Sequence, residues 1–153
     1  MRSLPLSGPT LVLALVLLSP VAGADAAAGA PGGPRFSLTP AAGTRSYVVA
    51  DGHPGAVIRR TLRVTNTGER TGAVRLYAVD ATTGTTSGAV YRSEQAPRTD
   101  VGAWTALSAG RLNLSPGASR TVRVTVHVPR GARPGQHLGA VVAENATLRR
   151  GRS

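Results

Sequence analysis

Residues 121–128, T-V-R-V-T-V-H-V, constrain the fold more than any other part of this chain. Val122, Val124, Val126 and Val128 alternate with Thr121, Arg123, Thr125 and His127. A period of two in β-branched residues describes a strand with one buried and one wet face. A Ser-Pro-Gly turn at 115–117 leads into it, and Pro129, which cannot donate to a sheet ladder, ends it.

The same alternation recurs upstream. Over residues 57–66, Ile58, Leu62 and Val64 oppose Arg59, Thr61, Arg63 and Thr65, and Arg60 breaks the pattern at what reads as a rim position. Over 73–80, Val74, Leu76 and Ala78 oppose Arg75, Tyr77 and Val79. These two strands are expected at the centre of the fold. Phe36-Ser37-Leu38-Thr39, closed by Pro40, opens the domain, and Tyr47-Val48-Val49 continues its edge before a turn at 51–55. Residues 81–108 give a weak signal, with a short edge strand at 89–91 and Trp104, the only tryptophan, plugging the end of the core. The last strand, 136–144, has Leu138, Ala140 and Val142 on one face and Val141 and Ala143 on the other, which implies burial on both sides. Short strands punctuated by turns predict an all-β, immunoglobulin-like antiparallel sandwich over residues 35–145.

The termini read differently. Arg2 followed by an unbroken apolar run, 11–18, and then Pro20 and small residues matches a secretory signal over residues 1–26, expected as a helix. Ala24, Ala26 and Ala30 are the candidate cleavage points. The run is shorter than the ~20 residues of a spanning helix, so no membrane span is expected in the mature chain. Residues 27–34 are all Ala, Gly or Pro and read as a flexible linker. Residues 146–153 read as a disordered basic tail. Export places the protein in the cell envelope or outside the cell.

Charge narrows the function classes. The 18 basic residues, all arginine, leave a net charge of +11, and cleavage of the signal leaves +10 or, if Asp25 goes with Arg2, +11. A domain this basic is drawn to anionic polymers or surfaces. Aromatic residues make up only 3% of the chain, which disfavours base stacking, and export also argues against a nucleic-acid partner. The absence of cysteine excludes disulfides and thiolate metal sites. His53, His127 and His137 are scattered without ligand spacing, Asp51 beside His53 reads as a turn carboxylate, and neither a phosphate loop nor a G-x-S-x-G elbow occurs. No cofactor, metal or catalytic residue is expected. The better lead is arginine. Pairing of strands 57–66 and 121–128 would put Arg59, Arg63 and Arg123 on one wall, with Arg75 a further outward candidate. Their planar forks suit phosphate or carboxylate, as in teichoic-acid phosphates or peptidoglycan stem carboxylates.

Four segments, F-S-L-T-P at 36–40, L-R-V-T-N-T-G at 62–68, L-S-P-G-A-S-R-T-V-R-V-T-V-H-V-P at 114–129 and A-R-P-G-Q-H-L-G-A-V-V-A at 132–143, together resemble the peptidoglycan-binding domain of WxL-interacting proteins. The resemblance implies a secreted or surface-held, non-catalytic bacterial module that contacts peptidoglycan or an associated anionic wall polymer. Relatives of that kind continue into a second domain and a membrane helix. Related modules also carry one more strand after the position of 136–144. The sandwich is therefore expected to lack its last strand. Gln136, Leu138, Ala140 and Val142 would lie on an open edge, available to a strand from another surface protein in a chaperone-like interaction.

Overall fold

Alternating burial along the chain builds the observed architecture. The computed structural model describes residues 11–18, 32–42, 47–83 and 89–146. Among these, the strands are β1 (Leu11–Leu18), β2 (Phe36–Pro40), β3 (Tyr47–Gly52), β4 (Val57–Asn66), β5 (Gly72–Thr83), β6 (Ala89–Tyr91), β7 (Thr105–Leu107), β8 (Arg111–Leu114), β9 (Ser119–His127) and β10 (Gly135–Asn145). A single turn of helix, α1 (Val101–Trp104), precedes β7. One sheet has the order β2-β4-β9-β7; the other runs β3-β1-β10-β5-β6, with β8 also pairing β5. The fold is an immunoglobulin-like β-sandwich, and β4 and β5 take inner places in opposite sheets, as their alternation predicts.

The core lies between the inner faces. Leu62, Val64, Val122, Val124 and Val126 from β4 and β9 meet Val74, Leu76, Val141 and Ala143 from β5 and β10. Each of these residues is at least 96% buried. Phe36 and Leu38 close one side, and Trp104 packs against the cluster from α1, in the plugging role its sequence position suggests. In β10, residues 139–141 are buried in succession, so its middle is covered on both faces.

Asn66 locks the N-T-G loop to its surroundings. Its side-chain oxygen accepts from the amides of Arg35 (3.3 Å) and Gly68 (3.0 Å), and its amide nitrogen donates to the carbonyls of Arg70 (2.8 Å) and Leu114 (2.9 Å). A fully buried amide is stable only when satisfied in this way. Gly68 is required beside it, because a Cβ there would collide with the backbone of Gly33 and Arg35.

Two expectations are corrected. Residues 11–18, expected as a helix, form a strand. They lie between β3 and β10, antiparallel to the first and parallel to the second. Strand β10 is consequently paired on both sides, with β5 and with β1, and Gln136, Leu138, Ala140 and Val142 sit opposite Val12, Ala14, Val16 and Leu18. Among the described residues, β1 fills the edge of β10 that was expected to be open. The physical reason is that an uninterrupted apolar run of eight residues carries no phase that separates helix from strand. Unpaired peptide groups along β10 would also be costly, and β1 satisfies them. Strands β7 and β8 and the helix α1 are additions within or beside the weakly patterned 81–108 stretch. The expected tail lies outside the described residues from 147 onward, as do the candidate cleavage points.

Candidate functional site

Strands β4 and β9 run antiparallel with Arg59 opposite Thr125, Thr61 opposite Arg123, and Arg63 opposite Thr121. All six face away from the core, since the alternate positions 58, 62 and 64 and 122, 124 and 126 are buried. Each of three successive outward rungs therefore holds one arginine and one threonine, with the arginine changing strand at every rung. Directly opposed like charges destabilise a sheet. The checkerboard avoids that arrangement while gathering three guanidinium groups on one face.

The sequence around the checkerboard keeps the face uniform. The next rung pairs Thr65 with Ser119, whose hydroxyls lie 2.7 Å apart. On β2, Thr39 stands beside Arg63 and Ser37 beside Thr65, while β7 contributes Ala106 next to Thr125. Val57 and His127 form the rung at the other end. No carboxylate occupies an outward position on these four strands, and Arg59, Arg63 and Arg123 make no ion pair among the described residues. Arg60 is also exposed, but its guanidinium folds back to donate to the Arg59 carbonyl at 2.8 Å.

Arg75 is set apart from this group. It lies on β5 in the other sheet, and one of its terminal nitrogens donates to Glu94 (2.6 Å) and to Glu144 (2.7 Å). Its guanidinium also sits 5.2 Å from the centre of the Tyr77 ring. Its hydrogen bonds to Glu144 and Glu94 raise its already high pKa further. Two carboxylates neutralise this arginine, which acts as a tie between β5, β10 and the 92–98 segment and is not available to a polymer in the way the checkerboard arginines are.

Two polar clusters went unrecognised in the sequence. Asp80, 4% exposed, accepts from the amides of Thr99 (2.6 Å), Asp100 (3.1 Å) and Gly102 (2.7 Å), and so anchors α1 to β5. Gly102 permits that contact, because a Cβ would run into the backbone of Val79 and Asp80. Its signal was present as a lone carboxylate inside the apolar run Tyr77-Ala78-Val79-Asp80-Ala81. His137 places Nδ1 2.7 Å from Asp100 Oδ1 and Nε2 2.9 Å from the Arg133 carbonyl, with its ring 4.8 Å from that of Trp104. Both ring nitrogens are thus occupied in holding the 133–137 segment against α1. His53 and His127 are exposed and make no contact with that cluster among the hydrogen bonds, ion pairs and ring contacts of the described residues. Among the described residues, no group of three or more His, Asp or Glu side chains could hold a metal ion. A shallow depression on the other sheet, lined by Thr71, Ala73, Arg111 and Asn113, is separate from the arginine face.

No protein-family model and no curated protein matches this chain. Among solved structures, it is similar to an ASH/PapD-like domain of human CEP192 (PapD-like domain 7), with 14% identity and a TM-score of 0.40, over 82% of this chain and 94% of that one.

Proposed function

We propose that the protein is an exported, non-catalytic module of the cell envelope that binds peptidoglycan or an anionic polymer associated with it. The outer face of the β2-β4-β9-β7 sheet is the contact surface. The observation that carries this reading is the Arg59–Arg123–Arg63 checkerboard, three exposed guanidinium groups on a face that has hydroxyl neighbours and no carboxylate. Guanidinium forks bind phosphate or carboxylate oxygens in pairs, and a rigid sheet holds them at fixed spacing. The net charge of +11 adds long-range attraction to such a polymer. Export rests on the Arg2 and 11–18 pattern of the N-terminal region, and the four segments that resemble WxL-interacting proteins point to the same compartment.

With residues 11–18 in place both edges of β10 are paired; cleavage of the signal removes β1, and a strand from another surface protein would then find that edge free. Co-sedimentation of the purified protein with cell walls across a salt series tests the proposal. Binding at low salt that fades steeply toward 0.5 M is expected, because exposed charge pairs are screened. Absence of binding at low salt contradicts it.

A further inference from the structure

The spacing of the checkerboard selects among anionic polymers. Outward rungs of a sheet repeat about every 6.6 Å along the strand, and diagonal neighbours across two strands lie roughly 7–8 Å apart. Arg59, Arg123 and Arg63 occupy three successive rungs on alternating strands. Their guanidinium groups thus form a zigzag with one positive charge per rung. A ligand that engages all three must present one negative charge at about the same interval. We infer that this face binds a linear phosphodiester polymer of a short polyol, laid along β4 and β9 with one phosphate to each arginine. This rests on the wall-binding reading above and names its ligand class.

Three features of the face favour that chemistry. A three-carbon polyol spaces successive phosphates about one rung apart when extended, and each phosphodiester offers two non-bridging oxygens to a guanidinium fork. Successive peptide stems on a glycan stand a disaccharide or more apart, so their carboxylates do not repeat along the polymer at one charge per rung. The threonines that alternate with the arginines, Thr125, Thr61 and Thr121, place a hydroxyl beside each charge for the polyol hydroxyls or phosphate oxygens. No aromatic residue occupies an outward position on the four strands. A nucleic-acid strand would find phosphate partners here but no surface on which to stack its bases.

Binding of the full chain to poly(glycerol phosphate), to cell wall stripped of phosphate polymers, and to single-stranded oligothymidine, each titrated with KCl, tests the inference. Tightest binding to poly(glycerol phosphate) is expected. The log–log salt slope should shrink by roughly 0.7–0.9 for each of Arg59→Gln, Arg63→Gln and Arg123→Gln, the value per phosphate contact for nucleic-acid backbones. Thermal melts of the three variants should match the parent, since exposed substitutions of this kind rarely move stability. Equal or tighter binding to stripped wall overturns the phosphate assignment and leaves the wall-binding reading standing. Equal or tighter binding to oligothymidine, or slopes unchanged by the substitutions, overturns the inference. Binding to none of the wall materials overturns both readings together.

Discussion

At the scale of single residues, neighbours decide whether an arginine is a site or a strut. Arg59 and Arg123 face outward among threonines, while Arg75 faces outward between Glu94 and Glu144. Period-two reading identified the direction of all three. It could not show the carboxylates around Arg75, because Glu144 meets it through a register set 69 residues away and Glu94 through a loop. We therefore expect Arg75→Gln to leave wall binding within about twofold of the parent, by the same rule that exposed charges act locally; a loss as large as that of Arg123→Gln would contradict this assignment. Asn66 is a residue of the opposite kind, fully buried and hydrogen-bonded on both sides of its amide. Asn66→Ala strands the Gly68 amide and the carbonyls of Arg70 and Leu114, and should cost about 2–3 kcal/mol in urea unfolding. A change below 0.5 kcal/mol, well inside the ~1 kcal/mol of an ordinary substitution, would show that the clasp is dispensable.

At the scale of elements, legibility followed phase. Strands β4, β5, β9 and β10 carry alternating or doubly apolar patterns and were readable within a few residues of their ends. Strands β7 and β8 span 3 and 4 residues and α1 only 4, too short to express a period. Strand β1 failed for a different reason. Eight apolar residues in succession suit an export signal and a doubly paired strand equally well, and pairing with β3 and β10 is a tertiary fact. The two roles exclude each other in one mature chain, since cleavage after Ala26 takes β1 away. Removal of residues 1–26 should therefore speed amide exchange along 136–142 by about tenfold or more, while β4 and β9 stay protected, because local opening follows lost pairing. Unchanged exchange along β10 would mean that β1 does not hold that edge.

At the scale of the whole molecule, the sandwich and its arginine wall were both foreseeable, because the wall is the outward half of the pattern that builds the core. Val122 and Val124 bury because Thr121, Arg123 and Thr125 do not. The pairing of β1 with β10 was not foreseeable, because it depends on a contact between the two ends of the chain. In the proposed function it is this face, and not overall basicity, that binds the wall. A direct measurement compares two variants of identical net charge. One carries Arg59→Gln, Arg63→Gln and Arg123→Gln; the other carries Arg92→Gln, Arg98→Gln and Arg133→Gln, three exposed arginines outside the β2-β4-β9-β7 sheet. In co-sedimentation with cell walls at low salt, the first should lose at least about tenfold in affinity, which is only 1.4 kcal/mol shared among three contacts, and the second should stay close to the parent. Equal losses in the two variants would contradict the account.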